Sequence, residues 1–182
     1  MKGRHDAAWM AMVVADASVL IALAKTGRIG LLRRLCGEVA VGARVKEEVF
    51  EGGREIQAAE VSLIEAAFQG KWMREVAPDA SERRLSRRIL TGSRLHEGEA
   101  EAIALASSRK LMVLLDDKEA RIVAQAMAVE FMGTAGILLE AFLCGALNFG
   151  ALEAALEDLS RVIWLSPSVV AEVLRRARGA RG

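Results

Sequence analysis

Cysteine and histidine are scarce in this 182-residue chain, at two each. Cys36 and Cys144 match neither a metal-ligand spacing nor a disulfide framework, and His5 and His96 stand alone. A site built on thiolates or imidazoles is thereby set aside, and both cysteines are expected to be buried free thiols in apolar surroundings. Excess charge is missing too. The 25 basic and 24 acidic residues nearly cancel, so any nucleic-acid binding has to come from a local patch and not from overall charge. Although 53% of the residues are hydrophobic, no run approaches the roughly 20 uninterrupted apolar residues of a membrane span, and a soluble protein with no membrane partner is expected. The charged residues 1–6 lead into only a brief apolar stretch ending at Asp16, too short for a secretory leader, which makes the cytoplasm the expected location. Internal repeats and low-complexity linkers are absent as well. A single domain is expected, burying roughly 70% of its unfolded surface.

What is present is an alternation of short apolar runs and helical patterns. Residues 12–16 form a continuous apolar run into Asp16, followed by a helix over 17–25 that closes at Gly27. Such a run reads as a strand buried on both faces of a parallel sheet. A helix over 29–36, a strand over 38–42, a helix over 43–50 closed by Gly52 and Gly53, and a helix over 54–68 follow. Next come a strand over 72–76, a break at Pro78, and a helix over 80–95 bearing Arg83, Arg84, Arg87, Arg88 and Arg94. His96 to Glu99 open a helix whose Ala100, Ala102, Ala104 and Ala106 allow close packing on a sheet. A strand over 111–117, a helix to 128, a strand over 129–133 and a helix over 134–145 complete the rhythm. The tail reads as a helix over 151–159, a strand over 162–165 and a helix started by Pro167. The pattern is that of an α/β fold with a central parallel sheet.

Acidic residues recur where strands end or in the helices that follow: Asp16, Glu48, Glu99 and the pair Asp116 and Asp117. In open α/β sheets the carboxyl ends of the strands line the ligand crevice. Carboxylates gathered there repel one another and raise one another's pKa, a conflict that a divalent cation removes. Oxygen-only ligands suit Mg²⁺ or Mn²⁺, and phosphoryl chemistry is the natural match. Each acid also has a structural reading: Asp16 as a helix cap, Glu99 as a favourable charge at a helix start, and Glu48 as solvated surface. Glu97 and Glu101 are read as solvated. Ser18 and Thr134 either hydrogen-bond a carboxylate or cap their helices, and the arginines of 83–94 are either a solvated face or a binding patch.

Four blocks in order carry a family resemblance. Val13-Val14-Ala15-Asp16-Ala17-Ser18-Val19-Leu20 resembles the opening motif of PIN-domain proteins, and Gly98-Glu99-Ala100-Glu101-Ala102-Ile103 is similar to their central motif. Leu115-Asp116-Asp117-Lys118-Glu119-Ala120 and Gly133-Thr134-Ala135-Gly136 resemble the later blocks. The resemblance implies a Rossmann-like α/β/α sandwich, a PIN-like domain over 10–148, and a C-terminal helical extension over 149–182 packed on or beside it. It further implies a VapC-like endoribonuclease that cleaves single-stranded RNA by metal-activated water with Mg²⁺ or Mn²⁺. Asp16, Glu48, Glu99 and Asp117 would be catalytic; Asp16, Glu99 and Asp117, with Asp116 as the neighbouring alternative, would hold metal, and Ser18 and Thr134 would support them. A toxin paired with a small antitoxin protein, and a homodimer, are implied partners, and the alternative is a catalytically silent PIN-like module that binds RNA or protein. An aspartyl-phosphate protein fits poorly: a receiver would put the acidic pair after the first strand, and a haloacid-dehalogenase-like phosphatase would carry a second Asp where Ser18 stands.

Overall fold

A computed structural model describes residues 12–51 and 58–180. The apolar runs become the strands β1 (Val13–Ala15), β2 (Val39–Gly42), β3 (Met73–Val76), β4 (Met112–Leu114) and β5 (Phe131–Met132). All pair in parallel, in the order β3-β2-β1-β4-β5. Between and after them lie α1 (Ala17–Lys25), α2 (Gly30–Leu35), α3 (Ala43–Glu51), α4 (Ala58–Gln69), α5 (Ala80–Gly92), α6 (Glu97–Arg109), α7 (Lys118–Ala126), α8 (Thr134–Leu143), α9 (Phe149–Ser160) and α10 (Pro167–Gly179). The expected α/β/α sandwich with a central parallel sheet and C-terminal helices is what forms.

Alternation along each strand divides the core. Val13, Ala15, Val39, Val41 and Leu114 face a cluster completed by α1, α2, α3, α4, α8, α9 and α10. Val14, Ala40 and Val113 face the other, completed by α5, α6 and α7. The alanines of α6 are all buried, and their small side chains let the helix lie close on the sheet as its sequence suggested. Leu152, Leu156, Leu159 and Val173 of α9 and α10 are buried in the first cluster.

The strand expected over 162–165 does not form. The Val162 and Ile163 amides both return to the Leu159 carbonyl, so the end of α9 consumes the donors a ladder would need. The segment is a loop whose Val162, Ile163 and Leu165 pack on the core while Trp164 stands 85% exposed. Its apolar character serves helix packing and not a sixth strand. The cysteine expectation holds for one residue: Cys36 is buried and its thiol is pushed up to about 12 by burial, but Cys144 is exposed at the end of α8, its thiol directed to the Ala141 carbonyl. Gly52, Gly53, the start of the helix expected from residue 54, and His5 lie outside the described residues.

Candidate metal and phosphodiester site

Strand order sets the position of the site. From β1 the chain moves outward to β2 and β3, then crosses back to place β4 on the other side of β1. The turning point of the sheet is therefore between β1 and β4, where a crevice opens at the carboxyl ends. Asp16 follows β1 directly, its amide bonded to the Leu114 carbonyl at 3.1 Å, and Asp116 and Asp117 follow β4 by one residue.

Four acids meet here, each at the N-terminus of a helix. Asp16 caps α1, its Oδ2 accepting from the Ser18 amide at 3.2 Å and the Ser18 hydroxyl at 2.6 Å. Glu99 Oε2 accepts from the His96 amide at the start of α6 at 2.9 Å. Asp117 caps α7 through Oδ1 and the Ala120 amide at 2.8 Å. Asp116 accepts from the Thr134 amide at 2.8 Å and from the Thr134 hydroxyl, tying β4 to the start of α8. Each of these acids thus sits at a positive helix end, which favours its negative charge.

The caps do not use every oxygen. Asp16 is 3% exposed, and its Oδ1 is buried with no hydrogen-bond partner among the described residues. Leaving a buried carboxylate oxygen unmatched is costly. Burial raises the Asp16 carboxyl above its ordinary value, Ser18 opposes the rise, and the Asp116 charge adds to it. Glu99 is raised chiefly by burial, then by the charges of Asp16 and Asp117. Asp117 and Glu99 each have one oxygen in a cap, whereas Asp116 has both on Thr134. Asp116 thus has both oxygens engaged, and Asp117 has one oxygen outside its cap.

Glu48 comes from another element. It is exposed on α3, with Oε2 against the start of α6: a Cβ on Gly98 would lie 2.9 Å from that oxygen. It therefore stands at the rim. Glu101, expected in solvent, is 7% exposed and accepts from the Arg44 amide at 2.9 Å, capping α3. A Cβ on Gly42 would lie 2.2 Å from its Oε1, so the glycine ending β2 makes the space Glu101 fills. That glycine, directly before a helix, was the available clue. Glu97 is exposed, as expected, and pairs with Arg44 at 3.1 Å.

The donor set suits a hard divalent ion: carboxylate oxygens only, mutually repelling, one of them buried and unmatched. As the side chains now stand, no three Asp, Glu, His or Cys among the described residues are arranged to hold one ion together. Magnesium keeps several waters and needs few protein oxygens, so the donors fit such an ion without a closed cage.

The family model DUF3368, described as a PIN domain, matches residues 12–179. The chain belongs to this PIN-domain family. No curated protein matches it. The PIN domain is a nuclease-type fold whose members generally use divalent metals, so the coarse class is that of a hydrolase. The match runs through α9 and α10. No described helix is long and apolar enough to cross a membrane.

Proposed function

We propose that this PIN-domain protein is a metal-dependent endoribonuclease that hydrolyses single-stranded RNA. The observation that carries the reading is the buried, unmatched Asp16 Oδ1 among carboxylates at the turning point of the sheet. Asp16 Oδ1 and the uncapped oxygens of Glu99 and Asp117 would hold Mg²⁺ or Mn²⁺, with waters completing its coordination. The ion, when bound, supplies positive charge to the scissile phosphate and lowers the pKa of an adjacent water. Ser18 holds Asp16 through two hydrogen bonds to Oδ2 and leaves Oδ1 without one. Thr134 holds Asp116 in place, where its charge adds to the demand for a cation. Glu48 at the rim orients water or substrate next to Gly98.

Labelled single-stranded RNA incubated with purified protein and Mn²⁺ tests this. Cleavage by the wild type and its loss, by a hundredfold or more, in Asp16→Asn and Asp117→Asn are expected; equal cleavage by all three proteins would sink the assignment. The open donor set favours one other reading, a silent PIN-like module that binds RNA or protein, and wild-type binding without cleavage would select it. A toxin role in the cytoplasm, held by a small antitoxin protein, and a homodimer complete the proposal, and both rest on the four sequence blocks. Growth arrest on expression of the wild type but not of Asp16→Asn tests the first, and sedimentation equilibrium tests the second.

A further inference from the structure

The charge of α5 is one-sided. Its only acid, Glu82, is buried and held by Arg109 through Nε at 2.7 Å and Nη2 at 2.9 Å. Arg83, Arg84, Arg87 and Arg88 are all exposed, and among the described residues none of them is ion-paired. Arg83, Ser86, Arg87 and Leu90 fall at the i, i+3, i+4, i+7 spacing of a single stripe. That stripe lines a groove of about 290 Å³, with Arg44 and Glu97 on the far wall.

The groove lies at the same end of the sheet as the carboxylates: Arg44 follows β2, Pro78 follows β3, and Glu97 and Glu101 stand on the face of α6 opposite Glu99. Glu82 near the start of α5 meets Arg109 at the end of α6, so the two helices run antiparallel and the last turn of α5 lies beside the first turn of α6. Glu97 lines the groove and sits two residues before Glu99. Glu97 is already matched to Arg44, and Glu101 is turned to the Arg44 amide, so the acids of the groove are committed; Arg83 donates through Nη1 to the Pro78 carbonyl and Arg87 through Nε to the Arg83 carbonyl at 3.4 Å, and neither has a carboxylate partner among the described residues.

We propose that this groove is the track along which the backbone of single-stranded RNA approaches the carboxylate site, an inference that rests on the ribonuclease reading for its occupant. Arg83 and Arg87 are one helical turn apart, about 6 Å along the axis, a spacing that suits successive phosphates of an extended strand. Guanidinium forks match phosphate oxygens in pairs, Ser86 offers a hydroxyl, and Leu90 offers an apolar surface to a ribose or base.

The test is fluorescence anisotropy of a labelled single-stranded RNA with the full chain in EDTA, across a range of KCl concentrations. Arg83→Gln with Arg87→Gln is compared with Arg84→Gln with Arg88→Gln, two pairs that remove equal charge from exposed positions, with melting curves confirming folding. The groove pair is expected to weaken binding roughly tenfold and to make the salt slope shallower by about 1.4, or 0.7 for each of two phosphates; the neighbouring pair changes little. Equal effects of the two pairs, no effect of the groove pair, or no binding by the wild type would overturn the track. So would competition by duplex RNA or polyglutamate as strong as that by the single strand. Binding that depends on the groove with no cleavage by any protein leaves the track standing and removes the nuclease, whereas cleavage with groove-independent binding does the reverse.

Discussion

Asp16 holds the start of α1 with one oxygen and leaves the other buried without a partner. Its folded pKa is raised above the ordinary 3.8 by burial, so the folded state binds the proton more tightly than the unfolded one. Stability from this group therefore falls as pH rises past 3.8 through the folded value, and a bound cation would offset that loss. Manganese should raise the wild-type Tm at pH 7, by the equivalent of about 2.7 kcal/mol at a hundred times Kd, and should leave Asp16→Asn nearly unmoved. A differential scanning fluorimetry titration reads both. Glu82 behaves in the opposite way. The Arg109 guanidinium holds its carboxyl below the ordinary 4.5, so its contribution is complete above 4.5 and is lost as pH falls through the depressed folded value. Glu82→Gln should cost roughly 2 kcal/mol at neutral pH. The Tm gap to wild type should close as the pH is taken below 4.5; a gap independent of pH would show that the ion pair contributes nothing.

At the level of elements, the junctions position the chemistry. The β2–α3 junction brings the strand to its end at Gly42, where Glu101 reaches across from α6 to the Arg44 amide. Gly42→Ala would place a methyl 2.2 Å from the Glu101 carboxylate and should destabilise by roughly 1–3 kcal/mol. In a Glu101→Ala background the same substitution should cost far less, a non-additivity that denaturant melts of the four proteins measure. Beyond the glycine directly before α3, the sequence does not mark this coupling, because Glu101 sits in an acidic helix start beside Glu97 and Glu99, where solvation is the ordinary outcome; only the register of α6 against β2 separates them. The strands were legible because their apolar runs are continuous, and Asp16, Asp116 and Asp117 were legible because each follows such a run. In sequence only the family resemblance favoured Asp117 over Asp116. Their difference lies in Thr134, which is 18 residues away and meets Asp116 only through the β4–β5 pairing.

For the whole molecule, the clearest departure from the sequence reading is residues 162–165, whose continuous apolar run fits a strand but whose first two amides are committed to the end of α9. The C-terminal helices complete a core: Leu152, Leu156, Leu159 and Val173 are buried with Ile137 and Leu138 of α8, and α8 begins at Thr134, the residue that holds Asp116. A chain ending at residue 148 should therefore lose cooperative unfolding or precipitate, which calorimetry on the truncated protein would show; a melt like that of the full chain would mean that α9 and α10 are accessory. The joining of four helix starts at the turning point of one sheet makes the carboxylates a single site, and manganese binding tests that most directly. Electron paramagnetic resonance of Mn²⁺ titrated into the wild type should show saturable loss of the free-ion signal. Asp16→Asn and Glu99→Gln should each weaken that binding at least tenfold. Undiminished binding in both variants would contradict a site built on these carboxylates.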